Sequence, residues 1–184
     1  MRKFSLYNFL SLLVLTSCQN QEPDLMIEDF ESVSFANWTV EGDAFGETPA
    51  QGSLSGEQLE TGFQGSYLAN SFHNGDDSRG ILTSKPFRIE RDFINFLIGG
   101  GMSEDTYIEL LVGEQRVAKS HSPVESETLQ LMSWDVKAYR GQEASLRIVD
   151  NQRGSWGHIL IDAIEQSNQY KSNIMENYTL TYDI

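Results

Sequence analysis

From Leu25 onward the chain breaks into short apolar runs rich in Val, Ile, Phe and Tyr, each closed by a cluster of Gly, Asn, Asp or Ser. That rhythm is the pattern of strands and turns. It predicts strands over 25–30, 37–41, 65–71, 79–84, 93–98, 106–111, 115–120, 127–131, 145–150 and 157–163. Several runs alternate apolar and polar residues, as in Tyr107-Ile108-Glu109-Leu110-Leu111-Val112 before a turn at Gly113. No window sustains a 3.6-residue apolar period over three turns, and 125–138 offers only a weak helical alternative. Many short strands with no helices between them argue for an all-β sandwich rather than an α/β fold.

The start of the chain reads differently. Arg2 and Lys3 precede an apolar stretch from Phe9 to Leu15, which closes with Leu15-Thr16-Ser17-Cys18. A basic start, a short apolar run and small residues before a cut describe a secretory leader. Here the residue after the cut would be Cys18, as in the bacterial lipobox, where the thiol is acylated before cleavage. Residues 1–17 are therefore expected to be a lipoprotein signal, with Cys18 lipidated (palmitate-type acylation) and 18–24 a polar tether. The domain follows at 25–164. Several acyl chains anchor stably where one binds marginally, which places the protein in the cell envelope. The alternative is an ordinary cleaved leader with a chance cysteine. Cys18 is the only cysteine, so an internal disulfide, a thiolate zinc site and a cysteine nucleophile are all excluded.

The 184 residues carry a formal charge of −14, and loss of Arg2 and Lys3 with the leader takes it to −16. Such a surface repels phosphate backbones, so nucleic acid is not an expected partner. Ten Phe, seven Tyr and three Trp supply bulk for a core. After Glu165 the sequence turns polar and ends in Tyr178-Thr179-Leu180-Thr181-Tyr182, so 165–184 reads either as an extension with a last strand or as a frayed tail.

Three stretches concentrate Gly, aromatic and carboxylate residues: 38–46, 68–80 and 150–158. Loops on a rigid sandwich are where ligands are met. Sugar recognition needs an aromatic face for ring C–H groups, and amides, carboxylates or Arg for adjacent hydroxyls. Phe72 and Trp156 are the candidate stacking platforms; His73, Asp76, Arg79 and Asn151 are the candidate polar contacts. Trp38 reads as core, Trp156 equally as rim packing, and Asp76-Asp77 first as a solvated turn.

Evidence for catalysis is thinner. Glu41, Asp43, Asp76 and Asp77 offer carboxylates, but spacing does not show two of them opposed across a cleft. Gly52-Ser53-Leu54-Ser55-Gly56 puts Leu where a nucleophile elbow needs Ser. Gly99-Gly100-Gly101 reads as a bulge or tight turn. His73, His121 and His158 lie far apart in sequence, without the His pairs of a catalytic zinc motif. A structural calcium is the candidate cofactor, held by Glu31 near the first strand and Asp162 on the last. The alternative is that Glu31 caps a turn and Asp162 faces water.

Asp29-Phe30-Glu31 with Trp38 resembles the entry of galactose-binding-like jelly-roll β-sandwiches, which include many carbohydrate-binding modules. The stretches 38–46, 65–76, 94–101, 133–136, 148–150 and 156–159 together resemble the β-sandwich module attached to levanase-like and fructosidase-like enzymes of glycoside hydrolase family 32 in Bacteroidetes. The resemblance covers about residues 25 to 164. It implies a jelly-roll fold and a glycan ligand, fructan or levan among them. Those enzymes carry their catalytic residues on a propeller for which this chain has no residues left, so the resemblance implies no enzymatic activity of its own. The leading reading is a lipid-anchored protein that captures a polysaccharide or oligosaccharide for neighbouring glycan-uptake partner proteins. A docking module without a sugar site is the second reading, and a small hydrolase using Asp43 or Asp76 as base the third.

Overall fold

A computed structural model describes residues 22–173. The leader, Cys18 and the strand expected over 178–182 lie outside the described residues. The elements run β1 (Leu25–Glu28), β2 (Trp38–Gly42), β3 (Ala69–Asn70), β4 (Gly80–Ser84), β5 (Phe87–Arg88), β6 (Phe93–Gly100), β7 (Thr106–Val112), β8 (Gln115–Ser120), β9 (Ser126–Asp135), β10 (Glu143–Asp150) and β11 (Ile159–Ser167). Two antiparallel sheets result. The first has the order β1-β11-β6-β9 with β3 also on β11; the second has β2-β4-β10-β7-β8 with β5 also on β10. The expected all-β jelly-roll sandwich is the fold.

Alternation places Ile94, Phe96, Ile98, Ile159 and Ile161 of the first sheet against Leu82, Ile108, Leu110, Leu146 and Ile148 of the second. Phe96 and Trp134 pack with ring centroids 4.6 Å apart. Trp38 is in the core, as its alternating surroundings suggest, stacked on Phe30 with its Nε1–H donating to Glu28. The first sheet is also covered on its outer face. The long connection between β2 and β3 lies over it, bridging Ala50 to Leu68 and Thr61 to Thr128, and seals Leu97, Leu129 and Leu160 beneath. Burial on both faces explains why β6 and β11 read as nearly unbroken apolar runs.

Differences from the sequence expectation have local causes. The strand expected over 65–71 shrinks to Ala69–Asn70, because the N–H groups of Gln64, Ser66 and Tyr67 donate to the carboxylates of Asp162 and Glu31 rather than to a strand. The first strand stops at Glu28, and Phe30 turns the chain with φ 56°. The weak helical alternative over 125–138 resolves into β9 followed by a single 3-10 turn over Lys137–Tyr139. β11 continues to Ser167 across an irregularity between Asp162 and Glu165, where Ala163 has φ 48°.

Candidate functional site

The outer face of the second sheet is open to solvent and carries a cleft of about 430 Å³. Register builds its floor. Glu41 pairs with Ile81, Ile81 with Val149, and Val149 with Tyr107, so one row of side chains crosses four strands. Arg79, Asp105 and Asn151 in loops and Asp150 at the end of β10 close one end, and Arg147 stands at the other. The Asn151 N–H donates to the Asp105 carbonyl and ties the two loops together. Gly42 has φ 77°, and a Cβ there would collide with the Arg79 carbonyl, so this end of the cleft requires glycine. Arg147 is held by a 2.9 Å ion pair to Glu109, which also faces Arg116. Lys119 sits 4.3 Å over the Tyr107 ring. The volume falls in the range of small-ligand sites.

Asp150 is 1% exposed, and its Oδ2 meets no donor. Burial pushes its carboxyl up to about 7, against the pull of Ser71, the Gln152 N–H and the charge of His158.

A second constellation lies where β11, β3 and β9 meet the covering loop. His158, just before β11, is 2% exposed. Its Nδ1 is 2.9 Å from Asp76 Oδ1, and its Nε2 is 3.2 Å from Glu127 Oε2 and 3.8 Å from Glu57 Oε1. The Trp156 ring stacks on the imidazole and Phe72 meets it edge-on. Asn70 donates through Nδ2 to both Glu57 and Glu60. Burial, with Glu60 alongside, pushes Glu57 up to about 8. Burial would lower His158, but the bonds to Glu127 and Asp76 outweigh it and raise the imidazole to about 9.

A third group joins the expected metal residues. Glu31 Oε1 accepts from the N–H groups of Ser66 and Tyr67; fully buried Asp162 accepts from Gln64 and Ala163. The 64–67 backbone thus bridges the two carboxylates. Burial pushes Asp162 up to about 7, helped by the charges of Glu31 and Asp29.

The six expected ligand residues therefore divide. Arg79 and Asn151 line the cleft. Phe72, Asp76 and Trp156 gather around His158. His73 is exposed and abuts Gly46. Sequence reasoning missed Glu41 and Tyr107 as members of one row, with Arg147 beside it, because only strand register aligns them. It missed Glu57, Glu60, Glu127 and His158 as a set, because they come from a covering loop, from β9 and from the residue just before β11, far apart in sequence.

No protein-family model matches the chain. Over 158 residues it is 41% identical to a protein of Aspergillus rugulosus named "Putative glycosyl hydrolase ecdE", a match covering 84% of this chain and 22% of that protein. The chain thus spans about a fifth of the length of the curated relative it matches. Among solved structures it is similar to TmCBM61 in complex with beta-1,4-galactotriose, at TM-score 0.49 and 16% identity over 74% of this chain and 91% of that one. The K1 cleaved adhesin domain of Lys-gingipain from Porphyromonas gingivalis W83 gives TM-score 0.49 and 15% identity over 80% and 99%. A family 35 carbohydrate binding module from Clostridium thermocellum gives 0.44 and 10% over 78% and 97%. At these values no site or ligand transfers from those structures.

The relative corrects one expectation. The chain was expected to have no enzymatic character because it has no residues for a propeller; yet most of it is 41% identical to part of a protein named as a glycosyl hydrolase.

Proposed function

We propose that this chain recognises a glycan in the service of glycoside hydrolysis, holding it in the cleft across β2, β4, β10 and β7. One observation carries the reading: the row Glu41–Ile81–Val149–Tyr107 forms an apolar and aromatic floor between carboxylates and two arginines. Such a floor suits the C–H face of a sugar ring, while Arg79, Arg147, Asp105 and Asn151 suit paired hydroxyls. The 41% identity to a protein named as a glycosyl hydrolase supports the same class. A fructan such as levan is the first ligand to test, on the motif resemblance above.

Each hydrogen bond exchanged with water nets only about 1 kcal/mol, so single-site affinity is weak and multivalency on a polymer matters. Affinity electrophoresis through levan, inulin and galactan gels tests the reading, with reducing-sugar release followed on the same polymers. One polymer is expected to retard the chain, and Tyr107→Ala or Arg147→Ala to restore free migration with unchanged folding. Retardation untouched by both variants would place the site elsewhere.

Two further elements belong to the proposal. Calcium at Glu31 and Asp162, with Asp29 nearby, suits the hard carboxylate donors gathered there; it would stabilise the junction between β1, β11 and the 64–67 segment. Lipid on Cys18 would hold the module at a membrane surface of the cell envelope.

A further inference from the structure

The His158 cluster gathers four acidic side chains around one imidazole with no lysine or arginine among them. Glu57, Glu60, Glu127 and Asp76 surround one imidazole. Among the described residues, no Lys or Arg forms an ion pair with any of the four. We propose that this cluster binds one divalent transition-metal ion of the zinc type through His158 Nε2, Glu127 and Glu57, with the buried carboxyl of Glu60 supporting Glu57 through the shared Asn70 amide.

Three observations carry the assignment. The first is orientation. Asp76 engages Nδ1 at 2.9 Å and leaves Nε2 facing Glu127 and Glu57. A carboxylate on the far nitrogen of a metal-binding imidazole fixes its tautomer and raises its basicity. The second is spacing. Metal–ligand bonds of about 2.0–2.2 Å in a tetrahedron set donor–donor edges of roughly 3.3–3.6 Å. The Nε2 distances of 3.2 and 3.8 Å bracket that value, and the three donor atoms all lie within 4.8 Å of one another.

The third observation is an orphan. Glu60 is 3% exposed and its Oε2 meets no donor, while its Oε1 and both oxygens of Glu57 are held by the same Asn70 amide. A buried carboxylate oxygen without a partner is costly, and a cation beside Glu57 satisfies it. No bond from the His158 imidazole reaches that oxygen. The donor chemistry selects the metal: imidazole with carboxylates suits zinc, manganese or cobalt, whereas calcium and magnesium favour all-oxygen sites. Trp156 and Phe72, packed on the imidazole, limit solvent access.

Calorimetric titration of the chelator-treated full chain with Zn²⁺, then with Co²⁺ and Ca²⁺, tests the proposal. The expected result is one equivalent of Zn²⁺ with proton release, Co²⁺ competing with ligand-field absorption, and Ca²⁺ not competing. Asp76→Asn is expected to weaken Zn²⁺ binding by about 10–100-fold. Glu60→Gln should weaken it by about tenfold or more and His158→Ala further still, while Glu114→Gln, in an exposed turn, leaves it unchanged. Near-UV circular dichroism verifies that each variant folds. Failure of the native chain to take up one equivalent of Zn²⁺ or Co²⁺ overturns the site, as does uptake undiminished in folded Asp76→Asn and Glu60→Gln variants.

Discussion

Asp150 shows how a single residue couples the cleft to the stability of the sandwich. Its carboxyl is buried at the end of β10 and pushed from an ordinary 3.8 up to about 7. A carboxyl raised on folding contributes stability that is full below its unfolded value and lost as pH rises through the folded one. The native chain is therefore expected to lose up to a few kcal/mol between pH 4 and pH 8 on account of Asp150. Asp150→Asn should flatten that part of the profile, as read from urea denaturation at pH 4, 6 and 8 against the native chain. Parallel profiles would mean that Asp150 is ionised in the folded state. None of this was legible in the sequence, where Asp150 stood in a loop-like Asp-Asn-Gln-Arg-Gly run. What buries it is the pairing of β10 between β4 and β7, a long-range event. Arg79 and Asn151 were legible as ligand candidates because their residue type and turn context suffice; Tyr107 and Arg147 read as ordinary strand residues.

Among the elements, the segment from β6 into the loop before β7 is tightly constrained. Gly100 has φ 91° at a register irregularity, and a Cβ on Gly101 would collide with the backbone carbonyl of Trp156. Gly101→Ala must therefore displace the 154–158 loop that carries Trp156 and His158. The expected cost is roughly 1–3 kcal/mol, by analogy with other overpacking, and a fall in Tm of several degrees. Differential scanning calorimetry measures it, and an unchanged Tm would show that the loop yields freely. The triple glycine was correctly legible as a bulge or tight turn, because glycine runs have few other uses in a strand pattern. The junction of β1 with β11 offers a second test. If calcium joins Glu31 to Asp162, millimolar Ca²⁺ raises the Tm of the chelator-treated native chain and leaves that of Asp162→Asn unmoved. Equal shifts in both would argue for non-specific binding.

At the scale of the whole molecule, a strongly acidic sandwich has little attraction of its own for anionic lipid, so attachment would rest on Cys18. Expression of the full sequence in a bacterial host should send the native protein to the membrane fraction and Cys18→Ser to the soluble fraction. Mass spectrometry of the N-terminal peptide reports the acyl chains, and an unmodified Cys18 in the native protein would remove the anchor from the proposal. By itself the sequence determined the class of fold, the absence of an internal disulfide and most strand positions. These depend on local alternation, turn chemistry and residue counts, all read within a few neighbours. Only the tertiary structure decided which side chains meet. Register across β2, β4, β10 and β7 aligned the floor of the cleft, and the loop closing over the first sheet buried Glu57 and Glu60 beside His158. Both depend on contacts between residues tens of positions apart, where no local pattern constrains the partner or shows which carboxyl groups will be buried and pushed toward their neutral form.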